Sequence, residues 1–241
     1  MSASKAEKNI ATRERLIFAL DVADTDKARK LVEQLDDSVW FYKLGLEMFM
    51  AGGYFELLEW LIARDKKVFV DLKFFDVPAT VGAAVRQLQS RGVSFATVHG
   101  NQSIMEAAAA NKGNTKILAV TALTSLDRGD LDDLGFQCDV RELVLSRARR
   151  AFEAGCDGVV SSGLEVPFLR DEVDKRLLVV TPGIRPVDNK SDDQKRVVTP
   201  ARAFENGADY IVVGRPIRDA DSPRAAAQAI QAEIAAVLSG Q

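Results

Sequence analysis

The sequence predicts a single-domain α/β protein, a closed (β/α)8 TIM barrel, and three observations support this fold class. Short apolar runs alternate with helical patterns through eight cycles along the chain. Its 241 residues are an ordinary length for one such barrel. No Pro/Gly/Ser-rich linker divides the sequence, so we predict a flexible N-terminal lead-in over residues 1–14 and one catalytic barrel domain over residues 15–241. The alternative is a doubly wound open sheet.

Eight apolar runs, each short and mostly rich in β-branched or aromatic residues, are the candidate strands. They cover residues 16–22, 40–46, 68–73, 94–99, 116–123, 158–162, 177–181 and 210–213. Helical patterns follow most of them, at about 25–35, 54–63, 78–91, 104–110, 140–153, beyond 164, and 223–238. The longest polar insertion, residues 188–196, follows the seventh strand. A long charged loop in a compact domain predicts a functional lid.

Composition and charge exclude several classes of protein. Lysine plus arginine total 32 and aspartate plus glutamate 35, and this near balance argues against nucleic acid or an anionic membrane as partner. No apolar run approaches the roughly 20 residues of a membrane span, and Met1 to Glu14 lacks the apolar segment of a secretory signal. Cys138 and Cys156 are too few for a disulfide framework or a cysteine-rich zinc site. We therefore expect free thiols and a cytoplasmic protein.

Ionised residues stand at the carboxyl ends of three successive strands. Asp21 ends the first strand, Lys43 lies on the second, and Asp71 and Lys73 end the third. Charges in strands covered on both faces are costly unless paired, and the carboxyl ends of barrel strands form the active-site face. Asp71 and Lys73 are two residues apart and so share a face. The four charges sum to zero, which favours a buried catalytic network over the alternative, salt bridges that only close the barrel.

Two glycine-arginine segments predict a site for a phosphate ester. The loop after the seventh strand begins Pro182-Gly183-Ile184-Arg185, and the eighth strand ends Val213-Gly214-Arg215-Pro216. Loops seven and eight commonly hold phosphate in this barrel. Glycine lets backbone N–H groups approach an anion, and arginine adds a bidentate charge. The alternative is that both glycines only serve turns and both arginines are solvated.

From Leu16 to about the last helix, the chain resembles the bacterial orotidine 5′-phosphate decarboxylase family. The order and spacing of several segments carry the resemblance: 18–21, 42–45, 71–80, 123–125, 182–185, Gln194 and 213–217. The resemblance implies decarboxylation of orotidine 5′-monophosphate to uridine 5′-monophosphate in de novo pyrimidine synthesis. It also implies a reaction without cofactor or metal, and a homodimer with shared active sites.

The resemblance further implies a role for each member of the charged set. Lys73 would stabilise the carbanion and protonate the ring carbon that loses carbon dioxide. Asp71 would lie beside the departing carboxylate and hold Lys73. Lys43 would complete the alternating row and touch the ribose hydroxyls, and Asp21 would also bind ribose.

The resemblance implies binding roles for residues beyond this set. Asp76 and Thr80 would reach into the partner subunit's site. The remaining implied contacts are Thr124 with the pyrimidine, Gln194, Gly214 and Arg215 with the phosphate, and Arg185 at the root of the lid. Where the family commonly has histidine, isoleucine and asparagine, this chain has Phe75, Val77 and Ala79, which affects loop and interface details rather than the reaction.

Two rival functions remain. Hexulose-phosphate synthases and ketogulonate-phosphate decarboxylases resemble the chain in Asp71, Lys73 and Asp76, but they bind magnesium through an acidic residue where this chain has Lys43. A cation there would repel the metal. The second rival is a non-catalytic binder of a phosphate ligand. The only histidine, His99, is predicted to be packed or hydrogen-bonded rather than catalytic.

Overall fold

The computed structural model describes residues 8–186 and 197–240. Eight parallel strands pair in sequence order, and the eighth pairs with the first to close a barrel. The strands are β1 (Leu16–Ala19), β2 (Phe41–Leu44), β3 (Lys67–Phe74), β4 (Phe95–Val98), β5 (Lys116–Val120), β6 (Gly158–Val160), β7 (Leu178–Thr181) and β8 (Tyr210–Val213). The predicted TIM barrel is confirmed, and the open sheet is excluded because β1 and β8 pair.

Within the described residues, eleven α-helices connect and cover the strands. They are α1 (Thr25–Leu35), α2 (Leu46–Met50), α3 (Tyr54–Ile62), α4 (Pro78–Gln89), α5 (Gln102–Ala110), α6 (Arg128–Asp133), α7 (Val140–Glu153), α8 (Val166–Glu172), α9 (Pro200–Glu205), α10 (Arg215–Arg218) and α11 (Pro223–Ser239). The sequence did not predict α2, α6, α9 and α10. Each has four to six residues, too few to show a 3.6-residue period. None of the helices in the described ranges is long and apolar enough to cross a membrane.

Helix starts follow the capping chemistry of the sequence. The Asp24 carboxylate accepts a hydrogen bond from the Lys27 N–H ahead of α1. Asp139 and Glu142 form a reciprocal capping box at the start of α7. Pro78 and Pro223 occupy the first turns of α4 and α11, where no N–H is required.

The barrel interior is filled by aromatic side chains from alternate positions of the strands. Phe41, Phe69, Phe95 and Tyr210 belong to one buried cluster, and the ring of Phe95 lies 4.9 Å from that of Phe41 and 5.1 Å from that of Tyr210. Packed rings close the barrel centre to solvent, so an open site can form only at its mouth.

The described part of the predicted lead-in packs on the barrel. Lys8 Nζ lies 2.6 Å from the Asp209 carboxylate ahead of β8, and Glu14 lies 2.5 Å from Lys67 Nζ at the start of β3. Ile10 packs against the aromatic interior. The predicted boundary at residue 15 therefore falls within a segment that contacts the barrel from Lys8 onward.

Candidate active site

The strand period that directs aromatic rings into the barrel also directs polar groups into its mouth. Lys43, Asp71 and Thr97 each stand two residues beyond an interior phenylalanine. Since side chains alternate between the faces of a strand, these three share the interior face at the carboxyl ends of β2, β3 and β4.

The predicted charged residues form one row of alternating sign. Lys43 Nζ lies 3.2 Å from Asp21 Oδ1 and 3.5 Å from Asp71 Oδ2. Lys73 Nζ lies 3.0 Å from Asp71 Oδ1. We call Asp21, Lys43, Asp71 and Lys73 the charge row. Asp21 lies two residues beyond β1 rather than within it, but it still meets Lys43.

The centre of the charge row holds two ionised groups away from solvent. Burial alone would lower the pKa of Lys43, but Asp71 and Asp21 outweigh it and raise that pKa. Burial alone would raise the pKa of Asp71, but Lys43, Lys73 and hydrogen bonds from Lys73 and Thr97 outweigh it and lower that pKa. Both groups are therefore charged at neutral pH, and each stabilises the charged form of the other.

An irregularity in β3 brings Lys73 to the row. The register between β3 and β4 shifts between Val70 and Phe74, and Lys73 has a left-handed backbone with φ of 49°. This conformation costs a non-glycine residue roughly 1–2 kcal/mol. Strained residues persist where their surroundings hold them, and bulges often aim side chains at functional sites. Lys73 and Asp71 are in contact as predicted, but across a distorted segment rather than a regular strand.

Thr97 is a site residue that the sequence analysis did not identify. Its Oγ1 accepts a hydrogen bond from the Lys73 N–H at 2.9 Å and donates to Asp71 Oδ1 at 2.9 Å. The signal was its position two residues after the interior Phe95. Because the Thr97 side chain is short and uncharged, nothing in the sequence marked this position as part of a site.

A cavity of about 310 Å³ opens at the barrel mouth beside the charge row. This volume lies at the lower end of the range for small-molecule sites. The predicted binding residues Thr124, Gly214, Arg185 and Arg215 line it, as does Gly183. The structure therefore brings together the charge row and the predicted anion-binding segments.

Arg218, which the sequence analysis also missed, lines the same cavity. Its Nη1 donates a hydrogen bond to the Asp21 carbonyl oxygen at 2.8 Å, and its Nε lies 2.6 Å from the Asp219 carboxylate. Arg218 thus ties α10 to the residue that begins the charge row.

The flanks of the predicted lid pair with each other. Ile184 and Val198 form a parallel bridge, and the Arg185 N–H donates to the Val198 carbonyl oxygen at 3.0 Å. The Arg185 side chain is buried at this junction, where its Nη1 donates to the Ile184 carbonyl oxygen. The lid itself, residues 188–196, and its predicted phosphate ligand Gln194 lie outside the described residues.

Asp76 and Thr80 do not line the cavity of their own chain. Both are exposed near the start of α4, and the Asp76 carboxylate accepts a hydrogen bond from the Val77 N–H at 2.6 Å. Phe75 and Val77 beside them are 70% and 63% exposed. The role of Asp76 and Thr80 in the site of a partner subunit stays a prediction.

His99 is packed and within hydrogen-bond distance of a polar partner, as predicted. Its Nε2 lies 3.5 Å from Arg147 Nη1, and its ring meets the Phe75 ring edge-on at 5.7 Å. Burial, with help from the nearby Arg147, lowers its pKa. Cys138 and Cys156 are free thiols. Across residues 8–186 and 197–240, no group of three His, Cys, Asp or Glu side chains is placed to hold a metal ion.

The fold and site together define a TIM-barrel protein whose mouth joins an alternating charge row to a glycine- and arginine-lined cavity. Residues 14–230 match the model of the orotidine 5′-phosphate decarboxylase / HUMPS family, and the chain belongs to this family.

Curated relatives and solved structures agree with this assignment. The chain is 70% identical over 95% of each sequence to the orotidine 5′-phosphate decarboxylase of Methylococcus capsulatus. It is 52% identical to that of Nitrobacter winogradskyi, over 94% of this chain and 95% of the relative. The crystal structure of the Lactobacillus acidophilus orotidine 5′-phosphate decarboxylase superposes with a TM-score of 0.81 at 35% identity, covering 92% of this chain and 99% of that chain. The predicted family is confirmed, and with it the prediction of an enzyme, a carboxy-lyase.

Proposed function

We propose that this protein decarboxylates orotidine 5′-monophosphate to uridine 5′-monophosphate, and that Lys73 stabilises and protonates the carbanion without a cofactor. One observation carries the proposal. The charge row ends in Lys73, 3.0 Å from Asp71, inside the cavity that Arg185 and Arg215 also line. A cationic proton donor, Lys73, and two arginines suited to binding an anion therefore line the same cavity.

The chemistry requires a fixed cation at the reacting carbon. When the bond to the carboxylate breaks, carbon dioxide leaves and the electron pair stays on the ring carbon, in the ring plane. The ring π system cannot delocalise this pair. The Lys73 ammonium stabilises the developing charge, transfers its proton to that carbon, and regains a proton from solvent.

The rest of the charge row orients this donor. Asp71 Oδ1 holds the Lys73 ammonium. In the proposed complex with substrate, Asp71 lies beside the departing carboxylate. Lys43, between the carboxylates of Asp21 and Asp71, fixes both. Asp21 and Lys43 then present polar atoms to the ribose hydroxyls.

Other residues that line the cavity bind the remaining parts of the substrate. Thr124 contacts the pyrimidine, and Gly214 and Arg215 hold the phosphate, with Arg185 contributing at the base of the loop. Gln194 is proposed as a further phosphate ligand from the resemblance alone. Phosphate binding far from the reacting carbon supplies energy for assembling the charged site around the substrate.

A homodimer with shared sites is part of the proposal. Asp76 and Thr80 lie outside their own cavity and are exposed, as residues that serve a neighbouring subunit must be. The exposed Phe75 and Val77 beside them supply apolar surface suited to a protein contact. A cytoplasmic location is also proposed, because the two free thiols fit a reducing compartment.

Turnover in the presence of a chelator tests the function. The protein is incubated with orotidine 5′-monophosphate and EDTA, and the fall in ultraviolet absorbance is followed. We expect full turnover with and without EDTA, since Lys43 occupies the place where the magnesium-dependent relatives have an acidic ligand. Absence of turnover would refute the decarboxylase proposal. Turnover that EDTA abolishes would instead favour a metal-dependent reaction.

A further inference from the structure

We infer that Thr97 is a positioning residue for the decarboxylation, because its single hydroxyl fixes both the Lys73 backbone and the Asp71 carboxylate. The inference rests on the proposed function and adds a residue to its machinery. Thr97 is fully buried and is not among the residues that line the cavity, so it acts through its two partners rather than on the substrate.

The directions of the two hydrogen bonds are set by chemistry. A backbone N–H can only donate, so the Thr97 Oγ1 accepts from Lys73. The hydroxyl hydrogen is then available for Asp71 Oδ1, which must accept it as a carboxylate oxygen. This arrangement favours the ionised form of Asp71.

Thr97 also selects the rotation of the carboxylate. Oδ1 of Asp71 receives both Thr97 and the Lys73 ammonium, and Oδ2 faces Lys43 at 3.5 Å. Because Thr97 on β4 donates to Oδ1, the other oxygen, Oδ2, is left for Lys43 on β2. The carboxylate is thereby held with one lysine at each oxygen.

The backbone bond acts where the chain is least regular. Lys73 has φ of 49°, and the pairing of β3 with β4 is interrupted between Val70 and Phe74. In this interval the Thr97 hydroxyl supplies an acceptor to the Lys73 N–H. A lysine with a left-handed backbone conformation needs such external support. The position of the Lys73 backbone in turn determines where its catalytic side chain begins.

Three variants separate positioning from a merely structural role. Thr97→Val keeps the shape of the side chain and removes both hydrogen bonds, whereas Thr97→Ser keeps the hydroxyl. Thr115→Val is the matched control, because Thr115 is also buried and its hydroxyl donates to the Val93 carbonyl oxygen, away from the cavity. Each variant is assayed for kcat and KM with orotidine 5′-monophosphate over a range of pH.

We expect Thr97→Val to lower kcat about 10- to 100-fold, the size expected for a lost hydrogen bond to a charged group. KM should change by less than about threefold, because the residues proposed to bind the phosphate, Gly214, Arg215 and Arg185, are unchanged. Thr97→Ser should restore kcat to near wild type, and Thr115→Val should leave it unchanged. A normal kcat in Thr97→Val, or equal losses in Thr97→Val and Thr97→Ser, would overturn the inference.

The pH profile gives a readout that lost stability alone would not produce. Asp71 faces Lys43 on β2, Lys73 on its own strand and Thr97 on β4, and Asp21 lies beyond Lys43. Removing the Thr97 donor raises the pKa of Asp71, so the acid limb of kcat should move to higher pH in Thr97→Val alone. An unmoved limb would count against the inference.

A crystal structure of Thr97→Val separates this inference from the proposed function. We expect Lys73 to leave its left-handed conformation and its Nζ to move out of contact with Asp71. If wild type fails to turn over orotidine 5′-monophosphate, the proposed function falls, but this comparison still decides whether Thr97 positions Lys73. An unchanged Lys73 in the variant would overturn the inference.

Discussion

Individual residues of the charge row fix each other's protonation over a wide pH range. The pKa of Asp71 lies below its ordinary 3.8 in the folded protein, so its contribution to stability is present above pH 3.8 and disappears as pH falls through the lowered value. The pKa of Lys43 lies above its ordinary 10.5, so its contribution is present below pH 10.5 and disappears only at more alkaline pH. Lys43 and Asp71, the centre of the row, are therefore both charged between about pH 4 and 10.

Replacing Asp71 should expose this linkage. Asp71→Asn leaves Lys43 and Lys73 without their shared carboxylate, and we expect the free energy of unfolding to fall by about 2 kcal/mol at pH 7. Urea denaturation at several pH values measures the difference from wild type, which should shrink as pH falls below 3.8 and vanish only below the lowered pKa of Asp71.

The control for Asp71→Asn is Asp132→Asn, which breaks an exposed pair with Arg128 and should have little effect. A difference between Asp71→Asn and wild type that persisted unchanged into acid would contradict the linkage.

At the scale of elements, long periodic segments could be predicted and short or irregular ones could not. The alternation of apolar runs with helices predicted all eight strands, because burial on both faces leaves a strong signal. Helix α10 has only four residues, so its cavity-lining Arg218 was not recognised. Thr97 follows the interior Phe95 by two residues, but its short uncharged side chain did not mark it as a site residue. The register shift in β3, which brings the Lys73 backbone to Thr97, is not encoded in any local pattern.

The junction of β2 and α2 predicts an effect of a single added methyl group. A Cβ at Gly45 would lie 2.9 Å from Lys43 Nζ and 3.2 Å from Asp21 Oδ1. Because both carboxylates hold Lys43, Gly45→Ala should displace it and lower kcat/KM by about tenfold.

Steady-state kinetics with the substrate measure the effect of Gly45→Ala. Gly240→Ala is the matched control, since its added Cβ would meet only ordinary contacts, at 3.7 Å or more. Equal kcat/KM values for the two variants would argue against a tightly held Lys43.

At the scale of the whole molecule, the closed barrel gathers the charge row from separate strands, and a second subunit is proposed to complete the site. The sequence predicted the barrel and most of the cavity wall. The assembly could be expected only by resemblance, because one chain shows Asp76 and Thr80 as exposed residues and nothing more. Their role depends on a surface that another copy would provide.

Subunit mixing tests the shared site. Lys73→Ala and Asp76→Ala should each be inactive alone. After subunit exchange, half of the dimers pair the two variants, and one site in each such dimer has both residues intact. We therefore expect about a quarter of wild-type activity, measured at equimolar mixing. Activity no greater than that of the separate variants would place Asp76 in the site of its own subunit.

Replacement of Lys73 tests the central claim most directly. Turnover of orotidine 5′-monophosphate in EDTA is compared for Lys73→Ala and for Lys67→Ala, which removes a lysine from the opposite end of the same strand. With folding checked by circular dichroism, Lys73→Ala should lose at least about 1000-fold in kcat, and Lys67→Ala should stay near wild type. A folded Lys73→Ala variant that keeps more than about a tenth of wild-type kcat would contradict the assignment of Lys73 as the cation and proton donor.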